Sequence, residues 1–117
     1  VAYSTFQEQA IYQSVEDLAA WLVPHVGQWP KWLRPTLGHH TMEALMGVLR
    51  SLVTAYGVPK AEKLQHLRMA SAELDGLRLL LATAVTLRLT SRPQYAHASG
   101  LIGNVGKQLG GWLGQVR

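Results

Sequence analysis

From Leu67 to Ala84 the chain reads LRMASAELDGLRLLLATA, and this stretch decides the fold class. Its apolar residues Leu67, Ala70, Leu74, Leu77, Leu81 and Ala84 recur at alternating spacings of three and four, and Leu80 and Leu87 widen the stripe. That is one face of a helix in the a/d register by which helices pack side by side, not the alternation of a strand. The spacing predicts a helix over about residues 60–90, with Pro59 suited to the entry of its first turn.

Outward from this stripe, three proline-bearing breaks divide the chain: Trp29-Pro30-Lys31-Trp32-Leu33-Arg34-Pro35, Tyr56-Gly57-Val58-Pro59 and Thr90-Ser91-Arg92-Pro93. Proline fixes φ, lacks an amide donor and disfavours helical geometry in the residue before it. Segment one, about 8–28, carries Ile11, Val15, Leu18, Leu22 and Val26 on one stripe, with Pro24 expected to kink its last turn. Segment two, about 36–56, offers Met42, Leu45, Leu49, Leu52, Val53 and Tyr56, with Thr36 as its cap and Gly57 as the left-handed residue that ends it. Segment four, about 93–116, carries Leu101, Ile102, Val105, Leu109, Trp112, Leu113 and Val116. Four amphipathic helices with short connections predict an all-α, antiparallel up-down four-helix bundle, one domain over residues 1–117.

A chain of this length buries roughly 65% of the surface its unfolded form exposes, enough for one core without staples. It has no cysteine, so disulfides and thiolate metal sites are excluded. No signal-peptide pattern is visible, and the apolar runs fall far short of the ~20 residues that span a bilayer, so a cytoplasmic protein with no membrane partner is expected. The net charge of +4 is unevenly spread. The first 75 residues hold all seven acids, whereas Arg78, Arg88, Arg92, Lys107 and Arg117 follow with no acid among them. A polyanionic partner is one explanation; counter-charge from the first two helices or from a partner subunit is the other.

Segment four also holds Gly100, Gly103, Gly106, Gly110, Gly111 and Gly114. An interior glycine costs about 0.8–1 kcal/mol relative to alanine, so six subtract about 5 kcal/mol. Gly103, Gly106, Gly110 and Gly114 form a smooth stripe that lets a neighbouring backbone come close. The neighbour is either another helix of the same chain or a second protomer, for which Trp112 and Leu113 would be the anchor.

Constellations for catalysis are missing. His39 and His40 diverge by about 100° on a helix, while His25, His66 and His97 have no histidine at i+4 and no suitably placed glutamate, so no metal is expected. There is no phosphate-cradling loop after a strand, no cysteine nucleophile and no inward Glu-x-x-His pair. A protein that is not an enzyme, with no cofactor, is the expectation. Among the basic residues, Arg78 and Arg88 punctuate the most apolar stretch, where a guanidinium fork can hold phosphates. Arg78 can equally pair with Asp75, three residues before it. Lys31 and Arg34 form a second patch beside Trp29 and Trp32, rings that either stack on bases or close a bundle end. Lys107 and Arg117 are expected on the solvent side of segment four.

Three features together resemble the family of small four-helix proteins that includes Avd, the accessory variability determinant of diversity-generating retroelements. They are Trp21-Leu22-Val23-Pro24 followed by Trp29-Pro30-Lys31 and Arg34; Leu74-Asp75-Gly76-Leu77-Arg78; and Leu101-Ile102-Gly103-Asn104-Val105-Gly106-Lys107-Gln108-Leu109-Gly110-Gly111-Trp112-Leu113. The likeness spans about residues 10–117, and a related branch comprises four-helix proteins encoded in intervening sequences of bacterial ribosomal RNA. Asn104 stands where the family often has an acid, and segment four is unusually rich in glycine. The resemblance implies a homopentameric barrel with a basic surface that binds a reverse transcriptase and nucleic acid (template RNA or cDNA) and supports mutagenic copying. It implies that Arg78 and Lys107 match basic motif positions, and that Lys31 and Arg34 match the basic turn after helix one. The intervening-sequence branch implies instead a structural or protein-interaction module. The candidate contacts for nucleic acid or a protein partner are thus Lys31, Arg34, Arg78, Arg88, Arg92, Lys107 and Arg117. The candidate oligomer interface is Gly103, Gly106, Gly110, Trp112, Leu113 and Gly114.

Overall fold

The computed structural model describes residues 9–117, so Glu8, the expected first residue of segment one, lies outside it. The described residues hold four α-helices: α1 (Ala10–Gly27), α2 (His39–Gly57), α3 (Lys60–Thr86) and α4 (Arg92–Val116). Among the described residues there is no strand. Helix α2 packs along α3, α3 along α4 and α4 along α1, and a lighter contact between α1 and α2 closes the bundle. Two cross-links show that α1 and α4 run in opposite directions. Gln108 Nε2 donates to Ser14 Oγ towards one end of α1, and His25 meets Thr90 at the other. The bundle measures 47 × 28 × 25 Å, its long axis set by the 27-residue α3, which spans about 40 Å at 1.5 Å per residue.

The predicted stripes of α1 and α3 are the ones that build the core. Ile11, Val15, Leu18, Leu22 and Val26 are all buried, as are the six residues of the α3 seam. Leu80 packs against that core, but Leu87 stands out in solvent. In α2 the buried face is turned from the expected one: Ala44, Leu45, Val48, Leu52 and Ala55 are inside, while Val53 is exposed. The expected face rests on large apolar side chains alone, of which Met42, Leu49 and Tyr56 are only half-buried. The small residues Thr41, Ala44, Gly47, Ser51 and Ala55 are buried, which lets α2 lie close along α3. In α4, Ala98, Ile102, Val105 and Leu109 are buried, whereas Leu101, Trp112, Leu113 and Val116 are half-buried at the core edge.

Helix ends depart from expectation in three places. Thr36 caps nothing: it lies within a π-helical turn, Arg34–Gly38, and its hydroxyl donates to Leu33 O at 3.3 Å. A 3₁₀ turn, Lys31–Leu33, precedes that turn, so α2 begins from a backbone already helical at Gly38 (φ −61°, ψ −46°) and has no open cap to fill. Gly57 is not left-handed, and among the described residues no glycine is. The ammonium of Lys63 instead donates to the carbonyls of Ala55 (2.7 Å) and Tyr56 (3.1 Å), satisfying the end of α2 from outside. Helix α3 stops at Thr86 rather than near residue 90. There Arg88 takes φ 61°, its amide donates to Val85 O at 3.0 Å and that of Leu89 to Ala84 O at 2.9 Å. This is a Schellman closure with arginine in the place where glycine is usual. Pro24 lies in the last turn of α1 as expected, on the solvent side, and the helix runs on to Gly27.

Candidate nucleic-acid interface

The up-down topology brings the α1–α2 connection and the α3–α4 turn to the same end of the bundle. These two basic patches are far apart in sequence, and their joint is a buried hydrogen bond, 2.7 Å, between His25 Nε2 and Thr90 Oγ1. Trp21 stacks on the His25 ring at 4.5 Å between centroids, Trp29 meets it edge-on at 6.0 Å, and His97 of α4 lies 5.4 Å from Trp21. Burial lowers the pKa of His25 below its ordinary value, so the neutral imidazole is the form the fold favours. Trp29 is buried, and its indole N–H has no hydrogen-bond acceptor among the described residues. It closes the bundle end; Trp32, three residues on, is 75% exposed. Of the two roles the sequence allows for these rings, closing the bundle end falls to Trp29.

Four of the seven basic candidates are exposed around this end: Lys31 and Arg34 on the first connection, Arg88 and Arg92 on the second. No acid occurs from residue 18 to 42 or from 76 to 117, the two stretches that form it. None of the four makes an ion pair among the described residues. An open concavity of about 630 Å³ follows the α3–α4 turn, with Arg88 and Arg92 in its wall beside Thr86, Ser91 and Gln94. Gln94 also borders a second hollow with Trp21, His25 and Gln28, and Arg34 borders a third with Val23, Gly38 and His39. Helix α4 starts here through a capping box the sequence reading missed. Ser91 Oγ accepts from Gln94 N at 3.2 Å, and Gln94 Oε1 accepts from Ser91 N at 2.9 Å. The signal was Ser91 followed three residues later by Gln94.

The other candidates lie elsewhere. Arg78, midway along α3, donates from Nη1 to Asp75 Oδ1 at 2.8 Å, which offsets part of its charge. Its Nη2 lies over Gly106, 3.2 Å from where a β-carbon would be. Lys107 is exposed on α4, and Arg117 ends the chain about 37 Å along α4 from Arg92. On the glycine stripe, a β-carbon at Gly103, Gly110 or Gly114 would meet nothing within 4 Å, so only Gly106 serves packing inside the chain. Helical geometry accounts for the split, since Gly106 sits about 60° off the line of the other three. Trp112 and Leu113 are half-buried against the core, and Trp112 borders a hollow with Ile11 and Gln108. Among the described residues no group of three or more His, Asp or Glu side chains could hold a metal ion. Among the same residues no helix is long and apolar enough to cross a membrane.

Comparison with known proteins gives one finding. The model of the bAvd-like family matches residues 9–116, nearly the whole chain. No curated protein matches it. The chain therefore belongs to the bAvd-like family, the Avd side of the two branches its sequence resembles.

Proposed function

From this membership of the bAvd-like family, we propose that the protein is a non-catalytic accessory subunit of a diversity-generating retroelement, binding nucleic acid and a reverse transcriptase. The observation that carries the nucleic-acid part is the acid-free bundle end bearing Lys31, Arg34, Arg88 and Arg92. Phosphates supply most non-specific nucleic-acid affinity, and four unpaired cations around open hollows match such a backbone in charge. Arg78 and Lys107, the basic motif positions of the resemblance, are secondary contacts midway along the bundle, with Arg78 weakened by Asp75.

Reverse-transcriptase binding and assembly into a ring, a pentamer by resemblance, complete the proposal. The support for a ring is energetic. Gly103, Gly110 and Gly114 weaken α4 by about 0.8–1 kcal/mol each, and among the described residues nothing lies within 4 Å of where their β-carbons would be. A neighbouring protomer against that smooth line, anchored by Trp112 and Leu113, would offset the loss.

The test is an affinity titration against labelled RNA and DNA at several salt concentrations. With four phosphate contacts, log K should fall with log salt at a slope of about −3. Reversing Arg88 and Arg92 to glutamate should cut affinity at least tenfold with helicity unchanged. Flat binding across salt, or undiminished binding by the reversed variant, would sink the assignment of this surface.

A further inference from the structure

We infer that Trp32 is a stacking platform that makes the basic end select unpaired bases, so that it binds single-stranded nucleic acid in preference to duplex. This rests on the reading of that end as a nucleic-acid surface and adds to it the state of the strand. Trp32 is the most exposed of the large apolar side chains described. Its position is nonetheless fixed. It lies in the middle of the 3₁₀ turn, closed by the bond from Leu33 N to Pro30 O at 3.0 Å, and buried Trp29 and Leu33 pin the chain on either side. An indole 75% exposed on a fixed backbone contributes little to the core, and Trp29 already closes the bundle end.

Its immediate neighbours settle the chemistry. Lys31 precedes it and Arg34 follows two residues later, both exposed, with no acid from residue 18 to 42. A flat aromatic face between cations matches a splayed base between two phosphates: the ring takes the base and the cations take the backbone. Bases in a duplex are already stacked on each other and offer no free face. The cations serve both forms of nucleic acid, whereas the ring serves only the unpaired one. A docked protein would equally bury an exposed indole, but a ring of cations without a single acid favours a polyanion over a mixed protein surface.

The experiment compares the full chain with Trp32→Ala and Trp32→Phe by anisotropy. The probes are a labelled single strand and a duplex of the same sequence, at one salt concentration. Trp32→Ala should lose about tenfold or more in single-strand affinity and change duplex affinity less than twofold, while Trp32→Phe keeps most of the binding. Equal loss for both probes, or no loss for either, overturns the inference while leaving the basic surface in place. So does normal binding of both probes joined to loss of reverse-transcriptase association, which would make Trp32 a protein contact. If the unaltered chain binds neither probe, the wider assignment fails with it.

Discussion

At the scale of single residues, Arg88 is the position where local stability and proposed function pull apart. A non-glycine residue at φ 61° places its β-carbon against the backbone, at a cost of roughly 1–2 kcal/mol. The Schellman closure it occupies needs only the backbone, so glycine would serve that turn better. Arg88→Gly should therefore raise stability by about 1 kcal/mol, a few degrees in Tm, while weakening RNA binding. Thermal unfolding and anisotropy on one preparation would check both halves. A variant more stable and equally tight in binding would mean the guanidinium has no part in the interface. The sequence hid this residue's place because helix ends are read from glycine, and none lies between Gly76 and Gly100.

At the scale of elements, what was legible depended on how distinct each stripe was. In α1 and α3 the expected seam residues are the buried ones, although α3 also exposes Met69 and Leu79 on its outer side. In α2 the expected face rests on large apolar side chains, whereas the small residues Ala44, Gly47, Ser51 and Ala55 are buried and shift the face by their close packing along α3. Helix α4 was legible as a helix and as an anomaly, but not in the division of its glycines. That division is testable. Gly103→Ala and Gly110→Ala add a β-carbon into open space, so in an isolated chain each should stabilise α4 by about 0.8–1 kcal/mol. Gly106→Ala gains the same propensity but forces Arg78 aside. If α4 lines a ring interface, Gly103→Ala and Gly110→Ala should also lower the assembled mass seen by light scattering, read against a chain of 12.9 kDa. An unaltered chain that runs as a monomer at micromolar concentration would remove the interface altogether.

At the scale of the whole molecule, the basic end exists only because the chain folds up and down. Its two halves meet through His25 and Thr90, 65 residues apart, a pairing no local pattern announces. The same joint makes stability depend on pH, with a sign that follows from burial. His25 is held neutral between Trp21, Trp29 and the Thr90 hydroxyl, so its pKa lies below the ordinary 6.5. As pH falls through 6.5 the unfolded chain takes up the proton first, and the fold loses stability until pH passes below the lowered pKa. Above 6.5 the contribution is fully present. The two stretches that form this end carry no acid to compensate an imidazolium. Urea unfolding at pH 7.5 and 5.5 should show a lower midpoint in acid. His25→Gln replaces the imidazole with an amide that does not titrate and can still reach Thr90, so its midpoint should move less. An equal acid shift in both proteins would place the titration on another histidine, and the joint between the two basic patches would then be indifferent to pH.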